Sequence, residues 1–185
     1  KSAFLVLFAI CAMAMNASVF SQYAGAYKME ASKTEAAAQP GMPEISIIQS
    51  GTMNLAANDA IAYDGAITVQ VALKNGDFEN KLNFVFEVSY TGKAEWDGAK
   101  AIQNVNKESV KFNFKEASAE KNDAMAEAML GAFEEAASRF GDEIKRELCD
   151  RTSHYSVKTL SEEQIVLVDD DNVEWTLTPV KYKKP

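Results

Sequence analysis

The chain has 185 residues and a formal net charge of −8 at pH 7, a length that fits one domain. Hydrophobic residues make up 47% and charged residues 25%, which excludes a largely disordered or collagen-like chain. The acidic balance argues against nucleic acid as a partner. Two Cys and one His exclude a disulfide scaffold and leave little material for a metal site or His-based catalysis.

The first element is an unbroken apolar run from Ala3 to Met15, preceded by Lys1. A basic start, an apolar stretch of about 7–15 residues and then small residues describe a secretory signal peptide. The run is shorter than the roughly 20 apolar residues of a membrane-spanning helix. No other segment reaches that length, so no membrane span is expected in the mature chain. Val19-Phe20-Ser21 allows cleavage before Gln22, and Ala24-Gly25-Ala26 allows it before Tyr27. Phe8-Ala9-Ile10 is a poor lipoprotein signal ahead of Cys11. The expected organisation is a signal peptide over 1–21 and one domain over 22–185, exported to the periplasm, the cell envelope or the medium. Removal of Cys11 leaves Cys149 without an internal disulfide partner.

Thr34 to Pro43 reads as a loop, punctuated by Pro40, Gly41 and Pro43. Period-two alternation follows. Ile67, Val69, Val71 and Leu73 share one phase, as do Leu82, Phe84, Phe86, Val88 and Tyr90, then Val110, Phe112 and Phe114. Such alternation places one strand face on a core and the other toward water. Asp64-Gly65, Asn75-Gly76-Asp77, Thr91-Gly92 and Asp97-Gly98 are expected to be turns between strands.

From Glu116 to Asp150 the apolar period lengthens to three or four residues: Met125, Met129, Phe133, Ala136/Ala137, Phe140, Ile144 and Leu148. This predicts an amphipathic helical insertion over about 117–150. Asn122 or Asp123 is placed to cap it, and Gly141-Asp142 to break it in two. Strand signals resume at Tyr155 and Val157. Ile165 to Val168 and Val173, Trp175 and Leu177 are expected to form a hairpin around the turn Asp169-Asp170-Asp171-Asn172. Short strands with regular turn signals suggest a barrel or sandwich.

Several segments then resemble one family. Gly25-Ala26-Tyr27-Lys28-Met29 looks like the opening strand of lipocalins and other calycins. Gly51 to Asp59 resembles their second strand with its Asn/Asp-rich turn. Val88-Ser89-Tyr90-Thr91-Gly92, leading to Trp96-Asp97-Gly98, is similar to a segment of small secreted lipocalin-like proteins of Bacteroidota-type bacteria. Leu160 to Asp170 followed by Trp175 to Lys181 looks like their closing hairpin. The resemblance implies a mainly β fold, an antiparallel meander closed into a barrel of about eight strands. The helix is inserted before the last strands, unlike the closing helix of animal lipocalins. If Gly25 to Met29 is the first strand, cleavage falls before Gln22.

No Gly-x-Ser-x-Gly, phosphate loop or dinucleotide fingerprint is present. Ser153-His154 cannot be a catalytic pair on a strand, since neighbours point to opposite faces. The Asp169–Asn172 run offers oxygen ligands for Ca²⁺ but lacks the EF-hand spacing, so a solvated turn is expected. No cofactor or metal is expected. A small barrel is either filled by side chains or holds one small ligand. The inward-phased aromatics Phe84, Phe86, Tyr90, Trp96, Phe112, Phe114 and Trp175 are therefore core or pocket lining. The resemblance implies an exported protein that binds a small hydrophobic molecule. The alternative is a non-enzymatic envelope module that meets a protein partner through helix 124–148 or a barrel face.

Overall fold

The computed structural model describes residues 22–35, 43–75, 78–96, 99–150 and 152–181. The expected signal peptide, the centre of the Thr34–Pro43 loop and the Gly76-Asp77 and Asp97-Gly98 turns lie outside these residues. In chain order the elements are β1 (Gly25–Glu35), β2 (Glu44–Leu55), β3 (Ala60–Asn75), β4 (Phe78–Trp96), β5 (Lys100–Val105), β6 (Lys111–Ala119), α1 (Ala124–Asp150), β7 (Ser153–Leu160), β8 (Ile165–Asp169) and β9 (Glu174–Pro179). The nine strands form one antiparallel sheet. Eight of them close a ring in the order β3-β2-β1-β9-β8-β7-β5-β4 and back to β3, and β6 branches from β4.

β4 organises this arrangement. Its even-numbered residues Leu82, Phe84, Phe86, Val88, Tyr90 and Ala94 are buried. Its odd-numbered residues include the exposed Glu79, Lys81, Glu87, Lys93 and Glu95. That period of two gives a strand with one core face. One edge of β4 follows β3 in unbroken register from Asn75↔Phe78 to Ala60↔Lys93. The other edge first takes β6, from Leu82↔Ala119 to Ser89↔Lys111. It then takes β5, from Gly92↔Val105 to Trp96↔Ala101. At the change of partner the Thr91 N–H donates to Ser109 Oγ at 2.9 Å, and the Thr91 carbonyl accepts from the Asn106 N–H at 2.8 Å. The 3-10 turn Lys107–Ser109, capped by Asn106, thus satisfies backbone groups that no strand reaches.

Two expected turns are strand interior instead. Asp64-Gly65 lies within β3 and Thr91-Gly92 within β4. The reason is close approach. Gly51 pairs directly with Gly65, and a Cβ at Gly51 would stand 2.5 Å from the Asp64 carbonyl oxygen and 2.7 Å from Gly65 Cα. Glycine inside a strand marks such contact between backbones. The Tyr63 ring lies against this pair, its hydroxyl donating to the Ser50 carbonyl at 2.9 Å.

The helix also begins later than expected. Residues 116–119 continue β6, facing β4 across a register shift at Val85/Phe86. That shift re-phases Ala117 and Ala119 to oppose Phe84 and Leu82. α1 starts at Ala124, where Asp123 Oδ1 accepts the Ala126 N–H at 2.8 Å as an N-cap. α1 continues unbroken through Gly141. Gly141 is buried, and a Cβ there would meet the Phe112 ring at 3.3 Å. Its smallness serves packing, not a break. The stripe positions Met125, Ala136, Ala137, Phe140, Ile144 and Leu148 have side chains outside the described residues. Phe133 stacks on Phe84 with ring centroids 3.5 Å apart, and Cys149 Sγ lies 4.0 Å from the Lys107 carbonyl oxygen. The helix therefore runs back along β6 over its Phe-rich face. Among the described residues no helix is long and apolar enough to cross a membrane.

Asn80 joins these parts. It is 1% exposed. Its Nδ2 donates to the Lys121 carbonyl at 2.8 Å and to Asp123 Oδ2 at 3.2 Å, and its Oδ1 accepts the Lys121 N–H at 3.0 Å. One buried amide thus ties β4 to the link between β6 and the helix cap. Asn80→Ala strands those groups without partners and is expected to cost about 2–4 kcal/mol, since each buried unsatisfied group costs about 1–3 kcal/mol. Urea unfolding followed by Trp fluorescence measures it. A loss under about 0.5 kcal/mol, within the range of an ordinary surface change, would show that the amide is not a joint.

Candidate ligand-binding site

A cavity of about 30 Å³ lies inside the ring at the Trp96 end of β4. Each of the eight ring strands contributes to it. β1 supplies Met29, β2 Met53 and Leu55, β3 Ile61, β4 Ala94 and Trp96, and β5 Ala101 and Gln103. β7 supplies Tyr155, β8 Leu167, and β9 Trp175 and Leu177. The alternation of each strand brings these residues to one axis. The wall is apolar and aromatic, with Gln103 its only side-chain amide.

The aromatic side of the wall is held from behind. Trp175 Nε1 donates to Asp169 Oδ2 at 3.0 Å. The other oxygen of Asp169 accepts the N–H groups of Asp171 and Val173, each at 2.9 Å. The Asp169–Asn172 run is a turn, with Asn172 at φ 61°, and the Asp169 carboxylate is spent on it and on the indole. Tyr155 meets Trp175 edge to face, centroids 5.9 Å apart. Gln103 Nε2 donates to the Tyr90 hydroxyl oxygen at 3.1 Å, and the Tyr90 ring rests 5.2 Å from that of Tyr63. Among the described residues no group of three or more His, Cys, Asp or Glu is placed to hold a metal ion.

Of the seven aromatics singled out in the sequence, Trp96 and Trp175 line the cavity. Tyr90 is buried directly behind it, anchoring Gln103. Phe84, Phe86, Phe112 and Phe114 gather elsewhere, under the helix. Phe86 stacks on Phe112 with centroids 5.0 Å apart and meets Phe114 edge-on at 5.6 Å. The other lining residues, Met29, Met53, Gln103, Tyr155 and Leu177 among them, carry no signal of their own. Tyr155 and Leu177 stood in an inward phase, but pocket and core positions share that phase. His154 is exposed on β7.

Burial sets the electrostatics of this interior. Tyr63 is pushed up to about 12, chiefly by desolvation. Tyr90 is raised further, by desolvation and then by neighbouring Tyr155. Tyr27 is also raised by burial. Each shift penalises the phenolate in the fold.

No family model matches this sequence, and no curated protein is significantly similar to it.

The raised tyrosines make alkaline stability a reporter of this interior. Below pH about 10 folded and unfolded chains both keep these protons, so stability does not depend on them. Above it the unfolded chain releases protons that the fold retains, so stability falls as pH rises through the folded values. The urea midpoint is expected to hold up to pH about 10 and drop toward pH about 12. Tyr63→Phe, which also loses the hydrogen bond to Ser50 at about 1 kcal/mol, is expected to lower the midpoint at pH 7 and flatten that drop. An unchanged alkaline slope would sink this account.

Proposed function

We propose that this protein is an exported, lipocalin-like β-barrel that binds a small hydrophobic molecule at the Trp96–Trp175 cavity. The observation that carries the reading is the convergence of all eight ring strands on one apolar, Trp-lined cavity with one amide. Few polar groups in an apolar wall is the usual make-up of a small-molecule site. The cavity's 30 Å³ is room for about one water, so a ligand enters by displacing side chains. Met29 and Met53 supply that adaptability, since an unbranched thioether repacks at low cost. Export is supported by the Lys1–Ser21 sequence, whose pattern is that of a secretory signal.

A second reading is a non-enzymatic module of the cell envelope that meets a protein partner through a barrel face. It is favoured by Ile45 and Ile47, which share one face of β2 and are 36% and 41% exposed. Clustered exposed aliphatics mark contact surfaces more often than isolated ones do.

Native mass spectrometry of the protein purified from its host tests both. The ligand reading expects one small molecule per chain and a polypeptide mass beginning at Gln22. Met53→Ala is expected to enlarge the cavity, take up a benzene-sized probe and lose about 2–4 kcal/mol of stability without ligand. A ligand-free protein whose wild type and Met53→Ala form both ignore such probes would leave the partner reading. A mass that retains residues 1–21 would overturn the export reading.

A further inference from the structure

We infer that the ligand of this cavity is an uncharged single-ring molecule with one hydrogen-bonding group, which the side-chain amide of Gln103 recognises. The inference rests on the binding reading above and names the chemistry it selects.

Three features lead there. The first is charge. No Asp, Glu, Lys, Arg or His lines the cavity. A carboxylate or ammonium carried into it would lose its hydration and meet no counter-charge, which is prohibitive in an apolar site. That excludes ionised ligands, including fatty acids in their anionic form. The second is shape. Trp175 is fixed by Asp169, and Tyr155 stands edge-on to it at 82°, with Trp96 in the same wall. Fixed aromatic rings at right angles favour a flat guest that can stack on one and meet the edge of another. The third is polarity. The Gln103 amide donates one of its two N–H groups to the buried Tyr90 hydroxyl at 3.1 Å. That bond fixes the amide plane and leaves the second N–H and the carbonyl oxygen for a guest. An amide in an apolar wall selects a guest with a polar group to pair with it, because a guest without one leaves the amide desolvated and unpaired. Phenols and indole-type N–H rings fit all three conditions.

The test is a titration of phenol, toluene and benzoate at pH 7, followed by calorimetry or NMR, on three proteins. These are the wild type, Met53→Ala to open the cavity, and Met53→Ala combined with Gln103→Leu. Phenol is expected to bind about tenfold tighter than toluene, the equivalent of one net hydrogen bond, and benzoate not at all. Gln103→Leu is expected to erase the preference for phenol while toluene still binds. Equal binding of phenol and toluene would overturn the selectivity while leaving the site. Binding of benzoate would overturn it as well. Failure of every neutral probe on both Gln103-containing proteins would instead overturn the binding reading on which the inference rests.

Discussion

A strand with two edges can satisfy only one neighbour at each position, and β4 meets that constraint by changing partner halfway. β3 occupies one edge for its full length. On the other edge β6 covers residues 82–89 and β5 covers 92–96. The ring can therefore close only through β5, at the Trp96 end. At the other end β6 stands outside the ring, with the phenylalanines of β4 and β6 facing inward. That face would be wet without a cover, and α1 supplies one, stacking Phe133 on Phe84 and placing Gly141 at Phe112. Asn80 holds the joint where β4, the end of β6 and the helix cap meet. The Ser109 and Asn106 bonds to Thr91 keep the change of partner from leaving bare backbone.

The same constraint divides the interior into two regions of different character. Under the helix the Phe84–Phe86–Phe112–Phe114 group is close-packed core. Beyond Tyr90 the lining changes to Trp, Met and one amide around a small cavity. Its aromatic side is rigid, since Asp169 fixes Trp175 and Tyr90 fixes Gln103. Its other side includes Met29 and Met53, the most deformable side chains available to a core. A fixed wall opposite an adaptable one lets a proposed guest be oriented by one side and accommodated by the other.

Much of the fold was legible because burial on one face imposes a period that survives in a bare sequence. The phases of Leu82 to Tyr90, of Phe112 and Phe114, and of the hairpin around Asp169–Asn172 were readable, as was a cap at Asn122 or Asp123, between which only the structure chose. What misled was glycine. Gly65 and Gly92 looked like turn residues, but their meaning depends on a second strand lying too near for a Cβ. Gly141 looked like a helix break for the same reason, the neighbour being Phe112. The start of the helix was misplaced because Ala117 and Ala119 fit either period.

Two of seven aromatics singled out in the sequence, Trp96 and Trp175, line the cavity, and the sequence had no means to separate them from the other five. Local patterning alone determined that this chain makes antiparallel strands, an amphipathic helix and an acidic exterior, since each depends on residues within a few positions of one another. Tertiary structure decided which strands close the ring, which aromatics the helix covers and which residues surround the cavity. Those outcomes depend on partners far apart in sequence, such as Ala31 with Trp175 and Trp96 with Ala101. Inward phase is the same for a packed side chain and a pocket-lining one, and only the position of the opposite wall tells them apart.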